Sequence, residues 1–495
     1  AASNLVDVLE GVASWERLGS FNASQAAAVR AAVAPERPGQ APGSGGVALV
    51  HGPPGCGKTH TILGMVAALL RLVPTPRVLL CAPSNAATDE LARRLLSIGL
   101  PQLPRIRGVD PPSRHVPMKP GEVVRVGRTE HSDVARASLD TLSEGVPWDE
   151  REERRKKTVR QARVVVCTSA GAGMPLLREA LGGNGWFDTV ILDEAAQATE
   201  PAALVPVVSG ASRLVLVGDP CQLPAIVFQP GAGKKVMERS LLERLMRAGH
   251  STVLLAEQYR MEPEIFRWPC RRFYHNRVSN GASIRKGHPF GQLGDGARVE
   301  LEEGFVVSLG AYRFLDIKGV ETTAAAASGG TSGSRVTSIR NSLEAALVAA
   351  LVRRILAEGS VDASDVGVIA AYSAQRAELA ARLGRGSAVE VNTFDGFQGR
   401  EKDVMILSCC RSSTHGVGFL ADARRLNVAL TRAKRALLIV GSAAALAEHE
   451  LWRSLIEDAR RSDALQTVQV LPHAAAAAAA AGPPVTQKFA DHCRR

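Results

Sequence analysis

Aromatic residues are scarce, at 4% of the 495-residue chain. Alanine is correspondingly abundant, a bias that a GC-rich coding genome accounts for and that carries no function. Long apolar runs are missing: none approaches the roughly 20 residues that span a bilayer. The opening AASNLVDVLE has neither a basic leader nor a signal-type hydrophobic core, which excludes a membrane partner and points to a nuclear or cytoplasmic protein. The chain also starts without methionine, as a fragment or a processed product would. Eight cysteines (Cys56, Cys81, Cys167, Cys221, Cys270, Cys409, Cys410, Cys493) form no C-x-x-C pair and no ligand spacing with histidine. Structural zinc is therefore not expected, and a reducing compartment is.

The length suggests two or three domains, each able to bury its own core. Hydrophobic residues at 45% and charged residues at 22% are those of a soluble, globular protein. A net charge of +11 favours a polyanionic partner, because clustered Lys and Arg gain by releasing counterions from phosphates; a generically basic protein reads the same way.

Short Val, Leu and Ile runs recur at 47–50, 78–81, 164–167, 190–192, 214–217, 366–370, 404–407 and 436–440, each followed by a Gly, Ser or Asp loop and a helix-period segment. Buried strands alternating with helices predict parallel sheets covered on both faces. There are too many for one sheet, so the chain divides into an α/β domain over 21–250 and a second over 251–460, with 1–20 the remnant of an accessory region. Residues 101–163 begin Pro-rich and end in the mixed-charge DEREERRKKTVR, predicting a helical insertion in the first domain with a solvated helix. TTAAAASGGTSGSR (322–335) has the composition of a flexible loop. Residues 461–495, with consecutive alanines at 474–481 and a basic end, read as a flexible tail. No solenoid-type repeat is present.

VALVHGPPGCGKTHTILGMVAALL sets Gly52, Gly55, Gly57, Lys58 and Thr59 between a buried strand and an amphipathic helix. That is the P-loop pattern in the context it requires. Glycines let backbone N–H groups converge on phosphates at a helix N-terminus, Lys58 reaches the β/γ oxygens, and the Thr59 hydroxyl is placed for Mg²⁺. Pro53, Pro54, Cys56 and His60 complete the stretch predicted to hold the nucleotide. FDTVILDEAAQ ends a strand on Asp193 and Glu194; beside a P-loop, Asp193 is the candidate to hold Mg²⁺ and Glu194 to orient and deprotonate the attacking water. In LVLVGDPCQLPAIV the GDP reads as a turn, and Gln222 is a neutral amide suited to the γ-phosphate or the attacking water. An N-K-x-D element, which a GTPase would carry to read its base, is absent from the sequence.

With these in place, the ordered set of segments resembles superfamily 1 helicases, in the branch of the nonsense-decay helicase and senataxin. SFNASQAAAVR is similar to the family's Q motif, LLCAPSNAATDELARRL to motif Ia, DEAAQ to motif II and GDPCQLPA to motif III. VVVCTSAGAG resembles the strand-end motif between them. LLAEQYRMEPEIFRWPCRRFYHNRVSNG resembles motif IV, VNTFDGFQGREKDVMILSCCR motif V and RRLNVALTRAKRALLIVG motif VI. The resemblance covers residues 20–445. It departs at Leu223-Pro224-Ala225, where Leu-Pro-Pro is common, and at Cys56, where Thr or Ser is commoner. Relatives usually carry a β-barrel module before the Q motif, and about twenty residues precede it here. GEVVRVGRTEHSDVARASLDTL lies nearest the senataxin group.

The resemblance implies two RecA-like P-loop domains and a composite ATP site with ATP and Mg²⁺ as cofactors. Gln25 would read the adenine, Tyr259 line the base pocket, Glu401 face the ribose, Arg260 reach the γ-phosphate and Arg432 serve as arginine finger. Pro83, Ser84, Asn85, Thr168, Ser169 and Thr393 would face nucleic acid. It further implies a monomeric 5′-to-3′ helicase or translocase on single-stranded RNA, with DNA and RNA–DNA hybrids next. Rival readings are a P-loop ATPase acting on protein, an inactive nucleic-acid-binding module, and a translocase that remodels ribonucleoprotein without separating strands.

Overall fold

A computed structural model describes residues 2–33, 46–72, 76–102, 115–180, 187–228, 231–284, 290, 298–325, 337–384, 386–412 and 416–471. The chain forms two compact units, Ala1–Tyr259 with Arg277–Ala282, and Arg260–Asn276 with Ser283–Arg495.

The first unit is built on strands β1 (Gly46–His51), β2 (Val78–Ala82), β3 (Val123–Arg125), β4 (Val164–Thr168), β5 (Thr189–Leu192), β6 (Arg213–Gly218) and β7 (Thr252–Leu254). All run parallel, in the order β3-β4-β2-β5-β6-β1-β7. β2, β5 and β6 are buried along their whole length, which is why they show continuous apolar runs and no alternation. β7 pairs with β1. The first unit therefore extends past residue 250 to Tyr259, and the boundary falls inside the QYRM segment.

The N-terminal stretch packs on the first unit. Helix α1 (Ala2–Arg17) buries Val8, Val12 and Trp15, and Trp15 stacks on Phe21 with ring centroids 4.9 Å apart. Its indole nitrogen donates to the Gln102 carbonyl at 2.8 Å, so this helix is part of the first unit's core. Helix α2 (Ala23–Val33) and helix α3 (Lys58–Leu72) follow in the same unit.

Within the expected insertion, residues 103–114 lie outside the described residues. Val123–Arg125 leaves the insertion altogether by joining the main sheet as edge strand β3. The charged run forms a helix, Arg151–Gln161, burying only Thr158 and Val159, and Lys156 bridges Glu152 at 3.1 Å and Glu179 at 3.0 Å.

The second unit holds a six-stranded parallel sheet, β8 (Tyr312–Asp316), β9 (Val366–Ala370), β10 (Glu390–Asn392), β11 (Lys402–Ser408), β12 (Ala433–Gly441) and β13 (Leu465–Thr467), in the order β10-β9-β11-β12-β8-β13. The helix Ser342–Ala357 packs its apolar residues into the core beneath it.

Two low-complexity readings change here. Glu321–Ala325 is a strand paired antiparallel with Thr337–Asn341, so the first four residues of the loop expected at 322–335 are strand; 326–336 lie outside the described residues. The chain past 461 returns to the fold, because Leu465–Thr467 is the edge strand of the sheet and Gln469–Val470 pairs with Phe305–Val306. Residues 472–495 lie outside the described residues. Among the described residues, no helix is long and apolar enough to cross a membrane.

Candidate nucleotide site

β1 delivers the chain to the sheet's carboxyl edge, and α3 leaves from it. Between them Gly55 and Gly57 take φ of 74° and 75°, a left-handed backbone that glycine adopts without cost. Gly57 is doubly constrained, since a Cβ there would stand 2.7 Å from the Gln25 amide nitrogen. Gly52, Pro53, Pro54 and Cys56 are buried, whereas Lys58, Thr59 and His60 are half-buried. Lys58 Nζ donates to the Gly52 carbonyl at 3.0 Å.

Gln25 and Tyr259, expected to face the base, come from distant segments. Gln25, buried, donates through Nε2 to the Cys56 carbonyl at 3.2 Å, and its Oε1 accepts from the Asn22 backbone. Tyr259 N–H donates to the Gly55 carbonyl at 2.9 Å, and the Asn22 amide donates to the Tyr259 hydroxyl at 2.7 Å. His60 stacks on Phe21 at 4.3 Å and hydrogen-bonds the Ser20 carbonyl; burial lowers its pKa. Gln25, Tyr259 and the phosphate loop are thus brought together, with Asn22 as the linker that sequence reading missed.

β5 ends on the acid pair. Asp193 is buried and its Oδ1 accepts from the Glu194 N–H at 2.8 Å. Burial pushes the Asp193 carboxyl up, Glu194 adds to this, and Lys58 opposes it. Glu194 adopts φ 50° and accepts from the Gln197 amide at 2.9 Å. After β6, Asp219 receives Gln222 Nε2 at 2.8 Å and His51 Nε2 at 2.9 Å. Burial pushes Asp219 up, yet the contacts from His51, Lys58 and Gln222 hold it below the usual value. Neither Asp219 nor His51 was singled out in the sequence, where GDP reads as a turn. The signal was a carboxylate three residues before Gln222.

The expected nucleic-acid contacts of this unit share one sheet edge, because β2 and β4 are neighbours and Ser169 N–H donates to the Ala82 carbonyl at 3.0 Å. Their side chains differ in availability. Ser84 Oγ caps helix α4 (Asn85–Ser97) by accepting from Ala87 N–H, Thr168 Oγ1 accepts from Gly171 N–H, and Ser169 is buried. Pro83 is half-buried beside them. The Asn85 amide oxygen accepts from Arg125 at 3.1 Å. Arg125 is itself fully buried against Asp89, Nε to Oδ1 2.8 Å.

In the second unit Arg260 meets Glu401 at 2.6 Å and donates to the Thr431 carbonyl at 2.9 Å. Lys434 lies 3.4 Å from the other Glu401 oxygen. Burial pushes Glu401 up, but Arg260 and Lys434 more than offset it. Arg432 is buried and donates to the Val428 carbonyl at 3.1 Å. Thr393 sits in the turn after β10, its carbonyl accepting from Phe397.

A glycine-rich turn from a parallel strand into a helix, with a strand-end acid pair in the same sheet, defines a P-loop NTPase. Two family models, each described as AAA domain, match residues 20–149 with 145–230 and residues 237–444. The chain is 36% identical to the probable helicase MAGATAMA 3 of Arabidopsis thaliana, over 79% of this chain and 46% of that protein. It is 34% identical to the regulator of nonsense transcripts 1 homolog of Neurospora crassa, over 89% and 39%. Helicase sen1 of Schizosaccharomyces pombe is 30% identical, over 84% and 29%. The chain belongs to superfamily 1 helicases, in the nonsense-decay and senataxin branch. It spans less than half the length of these curated relatives.

Proposed function

We propose that this chain is an ATP-dependent helicase or translocase moving 5′ to 3′ on single-stranded nucleic acid, RNA first and DNA or RNA–DNA hybrids next. The observation that carries this reading is the P-loop and the Asp193–Glu194 pair on one sheet edge, beside the strand ends that bear the motif Ia residues. Lys58 binds the β/γ oxygens, Glu194 takes the proton of the attacking water, and Gln222 orients that water or the γ-phosphate. The Thr59 hydroxyl and Asp193 carboxylate are hard oxygen donors suited to Mg²⁺, which would neutralise phosphate charge. From the second unit, Arg260 and Arg432 supply positive charge to the γ-phosphate. Because such contacts favour one state only while the γ-phosphate is present, hydrolysis switches the protein's grip on the strand. We propose further that the protein acts as a monomer in the nucleus or cytoplasm.

The test is steady-state ATP hydrolysis with and without single-stranded RNA or DNA of matched length, with Glu194→Gln as control. Stimulation that the variant loses supports the motor; nucleotide binding with no hydrolysis sinks it. Arg432→Ala should lower turnover about 10³-fold while leaving ATP binding largely intact. Separation of a tailed duplex distinguishes a helicase from a ribonucleoprotein-remodelling translocase.

A further inference from the structure

His51 ends β1, one residue before the phosphate loop, and Asp219 and Cys221 follow β6, the strand beside it. Because His51 is in register with Gly218, the three side chains emerge at one point of the sheet edge. His51 Nε2 lies 2.9 Å from Asp219 Oδ1, and one ring nitrogen of His51, one carboxylate oxygen of Asp219 and the Cys221 sulfur all lie within 4.8 Å of one another. Among the described residues this is the one group of at least three His, Cys, Asp or Glu side chains so arranged.

Tetrahedral zinc takes histidine nitrogen and carboxylate oxygen at about 2.0 Å and thiolate sulfur at about 2.3 Å, which sets ligand atoms about 3.3 to 3.6 Å apart. The trio closes on such an ion by a shift on the order of 1 Å at Cys221, with no strand displaced. Asp219 is already oriented for this: its Oδ1 accepts from Cys221 N–H at 3.0 Å and its Oδ2 from the Gln222 amide at 2.8 Å. Such outer hydrogen bonds aim a ligating carboxylate. His51 and Cys221 are half-buried, so an ion can enter from solvent. Imidazole with thiolate selects a zinc-class ion and discriminates against Mg²⁺, which prefers oxygen alone.

We propose that His51, Asp219 and Cys221 form a three-ligand site for a zinc-class divalent cation, with water in the fourth position, that clamps the end of β1 to the turn carrying Gln222. Binding releases the Cys221 thiol proton to solvent. The imidazole binds through Nε2 with its proton on Nδ1, and the His51–Asp219 hydrogen bond gives way to two bonds to the ion. The site is distinct from the Thr59 and Asp193 oxygens, and its occupancy does not depend on ATP turnover.

The whole chain, stripped with chelator, is titrated with Co²⁺ alone. Expected is a thiolate-to-cobalt charge-transfer absorption that saturates at one equivalent, is displaced by one equivalent of Zn²⁺ and persists in excess Mg²⁺. Cys221→Ser should abolish it and His51→Gln should weaken it at least tenfold, each variant keeping the metal-free thermal unfolding curve of the parent. Zn²⁺ should raise the Tm of the parent and not that of Cys221→Ser. No absorption in the parent, absorption that survives Cys221→Ser, or an equal Zn²⁺ effect on both Tm values would overturn the proposal.

Discussion

Two buried side chains set measurable costs. Arg125 and Asp89 are both fully buried and paired, and Asp89 also accepts from Thr129 and Glu130. Removing one partner strands the other charge away from water. Arg125→Met should therefore cost about 3 to 5 kcal/mol in chemical denaturation, and it should also loosen Asn85, whose amide oxygen it binds; a loss below about 1 kcal/mol would show that Asp89 is satisfied without it. Glu344 makes the second case. One oxygen accepts from Ser408 and from Cys410 N–H while, among the described residues, the other has no hydrogen-bond partner, and burial pushes its pKa up to about 7. The native state thus holds a proton that the unfolded chain gives up near its ordinary value of 4.5, so the stability it contributes is present in acid and is lost as pH rises through about 7. The loss should be on the order of 2 to 3 kcal/mol between pH 5 and 8. Glu344→Gln should flatten that part of the profile of Tm against pH, and an unchanged slope would assign it elsewhere.

At the level of elements, Leu465–Thr467 carries more than its length suggests. Gln466 accepts from both the backbone and the hydroxyl of Ser308, and Val468 is buried. Ending the chain after Ser462 should cost the second unit at least about 3 kcal/mol, because it removes the buried Ala464 and Val468, both Gln466–Ser308 hydrogen bonds and the β8–β13 ladder; unchanged thermal unfolding would restore the reading of a flexible tail. This strand was illegible because a three-residue edge strand beside an alanine run has no periodicity to detect. Thr322–Ala325 was hidden for a related reason, since ladder hydrogen bonds use the backbone and a Thr/Ala composition looks like linker. The core strands were legible because parallel strands buried on both faces must be apolar throughout. The phosphate loop was legible because its glycines and lysine act locally. What joins Asn22 to Tyr259, or Arg125 to Asn85, is a pairing across tens to hundreds of residues that no local pattern records.

For the whole chain, the net charge of +11 predicts binding dominated by phosphate contacts. Affinity for single-stranded RNA should fall with a log–log salt slope of about −0.7 per phosphate neutralised, with weak sequence preference. Fluorescence anisotropy across a salt series measures this, and a flat affinity would refute phosphate-led binding.

The position of β1 also bears on how the protein is made. This strand lies between β6 and β7, and the nearer of these two strand partners begins at Arg213. At translation rates of about 5 to 20 residues per second, it waits on the order of 10 to 30 seconds for its first partner to leave the ribosome. Through that interval an apolar strand lacks both of its strand partners, a natural place for a chaperone to hold the nascent chain.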